Sequence, residues 1–80
     1  MVELVKEKIS LLEKKLENRK NDASIFFKKI LIELEKLEDQ KKIFDKLRNS
    51  YAITQYGNFN SEEEKLLGEI IEFINKIYPL

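Results

Sequence analysis

Residues 61–78, SEEEKLLGEIIEFINKIY, carry the clearest helical pattern in the chain and decide the fold class. Ser61 is a favoured N-cap residue and Glu64 stands three positions later, so the pair predicts a capping box of reciprocal side-chain to backbone hydrogen bonds. Apolar residues then recur at helical spacing until Pro79, which ends the helix. The stretch therefore predicts one amphipathic helix, in which Gly68 allows a neighbouring helix to approach closely.

The first half of the chain shows the same periodicity twice. Between residues 2 and 17, apolar positions at helical spacing predict a first helix. Residues 18–22 hold no apolar residue and predict a turn, with Asn21 or Asp22 as the next N-cap. A second helix is predicted over residues 23–37. The two apolar stripes are Val5, Ile9, Leu12 and Leu16, then Ala23, Phe27, Ile30, Leu34 and Leu37.

The boundary between the second and third helices has two interpretations. Continuing the heptad of the second helix would place Lys41 and Arg48 on the core seam, which predicts a break near residues 38–41. The alternative is a single long helix over residues 22–56. If the break is present, a third helix extends to about Tyr56.

The third helix needs a stop signal, and Gly57 followed by Asn58 supplies one. We predict that Gly57 adopts the left-handed conformation, which costs glycine nothing because it has no Cβ. Four amphipathic helices joined by short polar turns predict an all-α fold, an antiparallel four-helix bundle, with residues 1–80 as one domain.

Composition excludes several classes of function. The chain of 80 residues has no Cys and no His, so disulfides, thiol catalysis, cysteine zinc sites and histidine general bases are excluded. The three carboxylates after Ser61 point in different directions on a helix, which favours capping over metal binding. We therefore predict a non-enzymatic protein without cofactor, metal or small-molecule substrate.

Charge is balanced overall but alternates along the chain. Fifteen basic residues match fifteen acidic ones, and successive quarters of the chain are net positive, negative, positive and negative. One interpretation is complementary packing of neighbouring helices. The other is a basic face for an anionic partner, formed by Lys41, Lys42, Lys46 and Arg48. Zero net charge argues against nucleic acid as that partner.

No segment resembles a targeting signal, and no unbroken apolar run is longer than three residues. We therefore expect a soluble, cytoplasmic protein, either free or peripheral at the inner face of the membrane.

Residues 43–74, IFDKLRNSYAITQYGNFNSEEEKLLGEIIEFI, resemble the C-terminal half of immunity proteins against pediocin-like (class IIa) bacteriocins, of the enterocin A immunity type. The matching features are a Lys-Leu pair on the third helix, a polar and aromatic end to that helix, and a short loop to an aromatic residue. A Glu-rich helix start then leads into Lys-Leu-Leu. These features are Lys46 and Leu47, Phe59, Ser61 to Glu64, and Lys65 to Leu67.

The resemblance implies a cytoplasmic four-helix bundle that protects the bacteriocin producer. Such proteins are thought to bind the bacteriocin-bound permease of the mannose phosphotransferase system from inside the cell and to block its pore. The implied partner-binding residues are Lys46, Arg48, Tyr51, Tyr56, Asn58 and Phe59. We expect a monomer or weak homodimer.

Two other functions remain open on the sequence. Wide apolar stripes are also typical of a small helical adaptor that self-associates. A small DNA-binding regulator is the third hypothesis, since the third helix is basic and two tyrosines are near it.

Overall fold

The computed structural model describes residues 2–36 and 39–77, and these residues form five helices and no strand. The helices are α1 (Val2–Asn18), α2 (Ala23–Glu35), α3 (Gln40–Arg48), α4 (Ile53–Tyr56) and α5 (Ser61–Ile77). The predicted all-α class is confirmed. The predicted count of four is not, because a short fifth helix lies between α3 and α5.

The core joins the apolar stripes of the four longer helices. Val5, Ile9, Leu12 and Leu16 of α1 are all fully buried, which confirms the first predicted stripe. The other helices contribute Phe27, Ile30, Leu34, Ile43, Phe44, Leu47, Leu66, Leu67, Ile70 and Ile74. Each such side chain stabilises the fold by about 1.5–3 kcal/mol when it leaves water. Leu37 and Tyr78, which also belong to the predicted stripes, lie outside the described residues.

The helices α2 and α3 are separate elements. The last residue of α2 is Glu35, and α3 begins at Gln40. Asp39 has a non-helical ψ of 95°, and its side chain accepts a hydrogen bond from the Lys42 N–H at 3.3 Å. The predicted break is therefore confirmed on its α3 side by an N-cap, and the single long helix is wrong.

The third helix is shorter than predicted, and local side chains bond to its last carbonyl groups. Asn49 Nδ2 donates to the Asp45 carbonyl at 2.9 Å, and Ser50 Oγ donates to the Leu47 carbonyl. Such bonds offer the backbone an alternative to the helical pattern. The helix ends at Arg48, and the chain turns before α4 instead of continuing to Tyr56.

A helix does end at Tyr56 with Gly57 as its C-cap, but the predicted left-handed conformation of Gly57 and the predicted close approach at Gly68 are wrong. Gly57 has a φ of −85°, and the left-handed residue is Asn58, with a φ of 55°. Position 57 needs glycine for space, since a Cβ there would lie 2.7 Å from the Ile53 carbonyl oxygen and 2.9 Å from the Phe59 ring. Among residues 2–36 and 39–77, nothing outside its own helix would lie within 4 Å of a Cβ at Gly68, so none of these residues makes the predicted close approach.

Each of the four longer helices packs against two others. Helix α1 contacts α2 and α5, and α3 contacts the same two helices. The ion pairs Lys8–Glu69 (3.4 Å) and Lys15–Glu62 (3.5 Å) show that the partner in α5 lies earlier as the position in α1 lies later, so these two helices run antiparallel. The alternating net charge of the chain therefore places opposite charges on the neighbouring helices α1 and α5, where they form ion pairs.

Candidate partner-binding surface

An ion pair between a buried carboxylate and a partly exposed guanidinium fixes the loop that precedes α5. Arg19 Nε donates to Glu63 Oε2 at 2.8 Å, and Arg19 Nη2 donates to Glu63 Oε1 at 2.6 Å. The same Nη2 donates to the Asn58 carbonyl at 3.1 Å. The Glu63 side chain is only 1% exposed, whereas Arg19 keeps 40% of its side chain in water. The end of α1 therefore holds both the loop and the first turn of α5.

The capping box of α5 is one residue earlier than predicted. Asn60 Oδ1 accepts from the Glu63 N–H, and Glu63 Oε1 accepts from the Asn60 N–H, both at 2.9 Å. The predicted pair of Ser61 and Glu64 is exposed. Glu63 serves both the cap and Arg19, and this double role favours the observed register over the one that was predicted.

The surroundings of Glu63 keep it ionised. Burial alone raises the pKa of Glu63, but the hydrogen bonds from Arg19 and the Asn60 N–H, with the positive charge of Arg19, hold it below its ordinary value. The hydrogen bond to Glu63 raises the pKa of Arg19. The loop is therefore held by two full charges at neutral pH.

A second link joins this loop to the turn before α2. Asn21 Nδ2 donates to the Gly57 carbonyl at 2.5 Å, while Asn21 Oδ1 accepts from the Ala23 N–H at 2.9 Å. Of the two predicted N-caps, Asp22 occupies the N-cap position but its side chain makes no cap bond, and the Asn21 side chain instead accepts from the first N–H of α2. The turn at residues 19–22 and the loop at residues 57–60 thus form one rigid end of the molecule.

An open apolar groove of about 700 Å³ lies beside this rigid end, between α2 and α4. We call it the α2–α4 groove. Its lining residues are Asn21, Asp22, Ala23, Ile25, Phe26, Lys29, Ile53, Tyr56, Gly57 and Asn58. Ile25 is 55% exposed and Tyr56 is 88% exposed. A volume of this size matches sites that receive a small ligand or a few side chains of a partner.

The structure brings together three of the six predicted partner-binding residues. Tyr56 and Asn58 line the α2–α4 groove. Phe59 packs against the core below it, with its ring centroid 6.3 Å from that of Phe27. Tyr51 is 46% exposed but does not line the groove.

The other two predicted residues, on α3, lie elsewhere and make intramolecular ion pairs. Lys46 pairs with Glu33 of α2 at 3.6 Å. Arg48 pairs with Asp45 at 3.1 Å and keeps only 10% of its side chain exposed. Two of the four cations in the hypothetical basic face are therefore neutralised within the molecule, which favours the complementary-packing interpretation.

Sequence reasoning missed the α2 side of the groove. Ile25, Phe26 and Lys29 line it, yet all the predicted residues came from the second half of the chain. A signal was present, because Ile25 stands away from the core stripe of α2 and an apolar residue there has no packing role.

Comparisons with protein-family models, with curated proteins and with solved structures give no match to this chain. Among the residues that the structure describes, no cluster of acidic side chains could hold a metal ion. Within residues 2–36 and 39–77, no helix is long and apolar enough to span a membrane.

Proposed function

We propose that this chain is a bacteriocin immunity protein that acts by binding and not by catalysis. Its target is the mannose-phosphotransferase permease with bound bacteriocin, reached from the cytoplasmic side. The observation that carries the proposal is the residue pattern over 43–74, whose exposed Tyr56 and Asn58 border the α2–α4 groove. An apolar groove with a rigid rim suits recognition of another protein.

We also propose that the four longer helices form the antiparallel bundle that this resemblance implies, with α4 as a short addition. The pairwise packing of α1 and α3 against both α2 and α5 supports this arrangement. The antiparallel ion pairs between α1 and α5 support it as well.

A protection assay tests the function. A sensitive strain that expresses the chain is challenged with a panel of pediocin-like bacteriocins, and survival is compared with the empty vector. We expect protection against at least one of them. Unchanged killing by the whole panel would refute the proposal.

Variants of the groove test the site. Tyr56→Ser removes an 88% exposed ring without touching the core, so protection should fall while folding is kept. Leu11→Ser is the matched control, because Leu11 is 49% exposed on α1 and outside the groove. Equal protection by the two variants would exclude the groove as the contact surface.

A self-associating helical adaptor is the second candidate. It is favoured by the exposure of several large apolar side chains: Leu4, Leu11, Ile25, Ile32, Tyr51 and Tyr56. A chain that stays monomeric in sedimentation equilibrium would count against this candidate, whereas the protection assay tests the immunity function directly.

A further inference from the structure

One strip of α2 carries two opposite charges on either side of an apolar pair. Asp22, Ile25, Phe26 and Lys29 follow each other at steps of three, one and three residues and all line the α2–α4 groove. Asp22 has helical backbone angles, so the four positions share one helix face. Asp22 and Lys29 are both exposed, and within residues 2–36 and 39–77 neither forms an ion pair.

We propose that this strip is an interface between two copies of the chain, related by a two-fold axis. Positions 22 and 29 are equally far from the midpoint between 25 and 26. An axis through that midpoint places Asp22 of each copy opposite Lys29 of the other, and Ile25 of each copy opposite Phe26 of the other. Because a two-fold interface uses the same patch twice, it requires this kind of self-complementarity.

The charges of the strip favour a second copy over a membrane surface. An interfacial helix has lysines beside its apolar face, and a carboxylate within that face would be repelled by anionic lipid. Here Asp22 and Lys29 flank the same apolar pair, so each copy supplies both partners of the ion pair. The groove beside the strip gives space for exposed side chains of the second copy, since Ile25 and Tyr56 protrude at its edges.

The dimer should be weak. A stable interface buries about 800 Å² on each partner. The strip covers only two turns of one helix, which is a small part of the 5298 Å² surface of each copy. We expect a dissociation constant above about 1 μM. This inference does not rest on the immunity function, because association is measured in the purified protein.

Charge reversal provides a sharp test. Asp22→Lys and Lys29→Asp each place like charges opposite each other twice, so each variant alone should dimerise about tenfold more weakly than the original chain. In an equimolar mixture, Lys at position 22 of one variant faces Asp at position 29 of the other, and the remaining pair is also complementary. The mixture should therefore regain association, as should the double variant with both changes.

Sedimentation equilibrium from about 1 μM to 1 mM is the measurement, with circular dichroism to confirm that each variant is folded. Ile25→Ser should weaken association, and Leu11→Ser should leave it unchanged. A monomer throughout this range would overturn the inference. The inference would also be overturned if the single charge reversals associated as strongly as the original chain, or if their mixture associated no more strongly than either variant alone. If the chain is monomeric and Ile25→Ser abolishes protection, the groove binds a different protein.

Discussion

Replacing Glu63 by Gln tests whether the ion pair of Arg19 and Glu63 holds the rigid end of the molecule. The carboxylate accepts two hydrogen bonds from Arg19 and one from the Asn60 N–H. Gln can still accept the cap bond, but its NH₂ group would face a guanidinium N–H, and one charged partner is lost. Breaking a fully buried ion pair costs about 3–5 kcal/mol.

The cost should be smaller here, because Arg19 is 40% exposed and can return to water. We therefore expect Glu63→Gln to lower the free energy of unfolding by about 2 kcal/mol. For a domain of this size, that corresponds to a fall in Tm of about 10 °C. Glu64→Gln is the matched control, since it removes an exposed carboxylate from the same helical turn and should cost only about 0.3 kcal/mol.

The pH dependence follows from the lowered pKa of Glu63. A carboxyl group with a lower pKa in the folded state contributes stability that is present above its unfolded pKa, about 4.3. This contribution is lost as the pH falls through the folded value. The stability difference between the original chain and Glu63→Gln should therefore be full at neutral pH and should shrink in acid.

Urea unfolding followed by circular dichroism, at pH 7 and at about pH 3, measures both effects. Two results would refute the reasoning. One is a loss no larger for Glu63→Gln than for Glu64→Gln at pH 7. The other is a loss that is the same at both pH values, because a pH-independent cost would arise from packing and not from the charge.

The remaining predictions concern the backbone and are read from thermal unfolding. Gly57→Ala should destabilise the protein by about 1–3 kcal/mol, because its Cβ would collide with the Phe59 ring. Gly68→Ala should stabilise the protein by about 0.5–1 kcal/mol, because the site is open and helical. Equal effects of the two substitutions would contradict the argument that position 57 lacks space for a Cβ. Lys20, with a φ of 57°, closes α1 in a Schellman motif, so Lys20→Gly should stabilise by about 0.5–1 kcal/mol. Lys20→Ala removes the same charge but keeps the Cβ, and should give no such gain.

The core could be predicted from the sequence because apolar spacing alone determines which helix face is buried. The four stripe residues of α1 are buried as predicted, and so are Phe27, Ile30 and Leu34 of α2. The break before α3 was predictable for a related reason, since the continued heptad would have buried cations. Burying charge without a partner costs far more than ending a helix.

The helix ends and the site could not be predicted, because they depend on contacts between distant residues. Ser61 with Glu64 and Asn60 with Glu63 are equally good capping boxes in isolation. Arg19, more than forty positions away, selects the second of these. Gly57 likewise looks like a left-handed stop until the Phe59 ring is seen to lie against it.

The proposed binding role accounts for the exposed apolar side chains of the α2–α4 groove, which folding does not require. The core is already closed by side chains that are almost wholly buried, and neither Ile25 nor Tyr56 is needed to complete it. Two polar links hold the turn and the loop beside the groove, through Arg19 and Asn21. A rigid rim around apolar side chains left in water lowers the entropy lost when a partner binds. Loosening the rim through Glu63→Gln should therefore weaken recognition even where the chain remains folded.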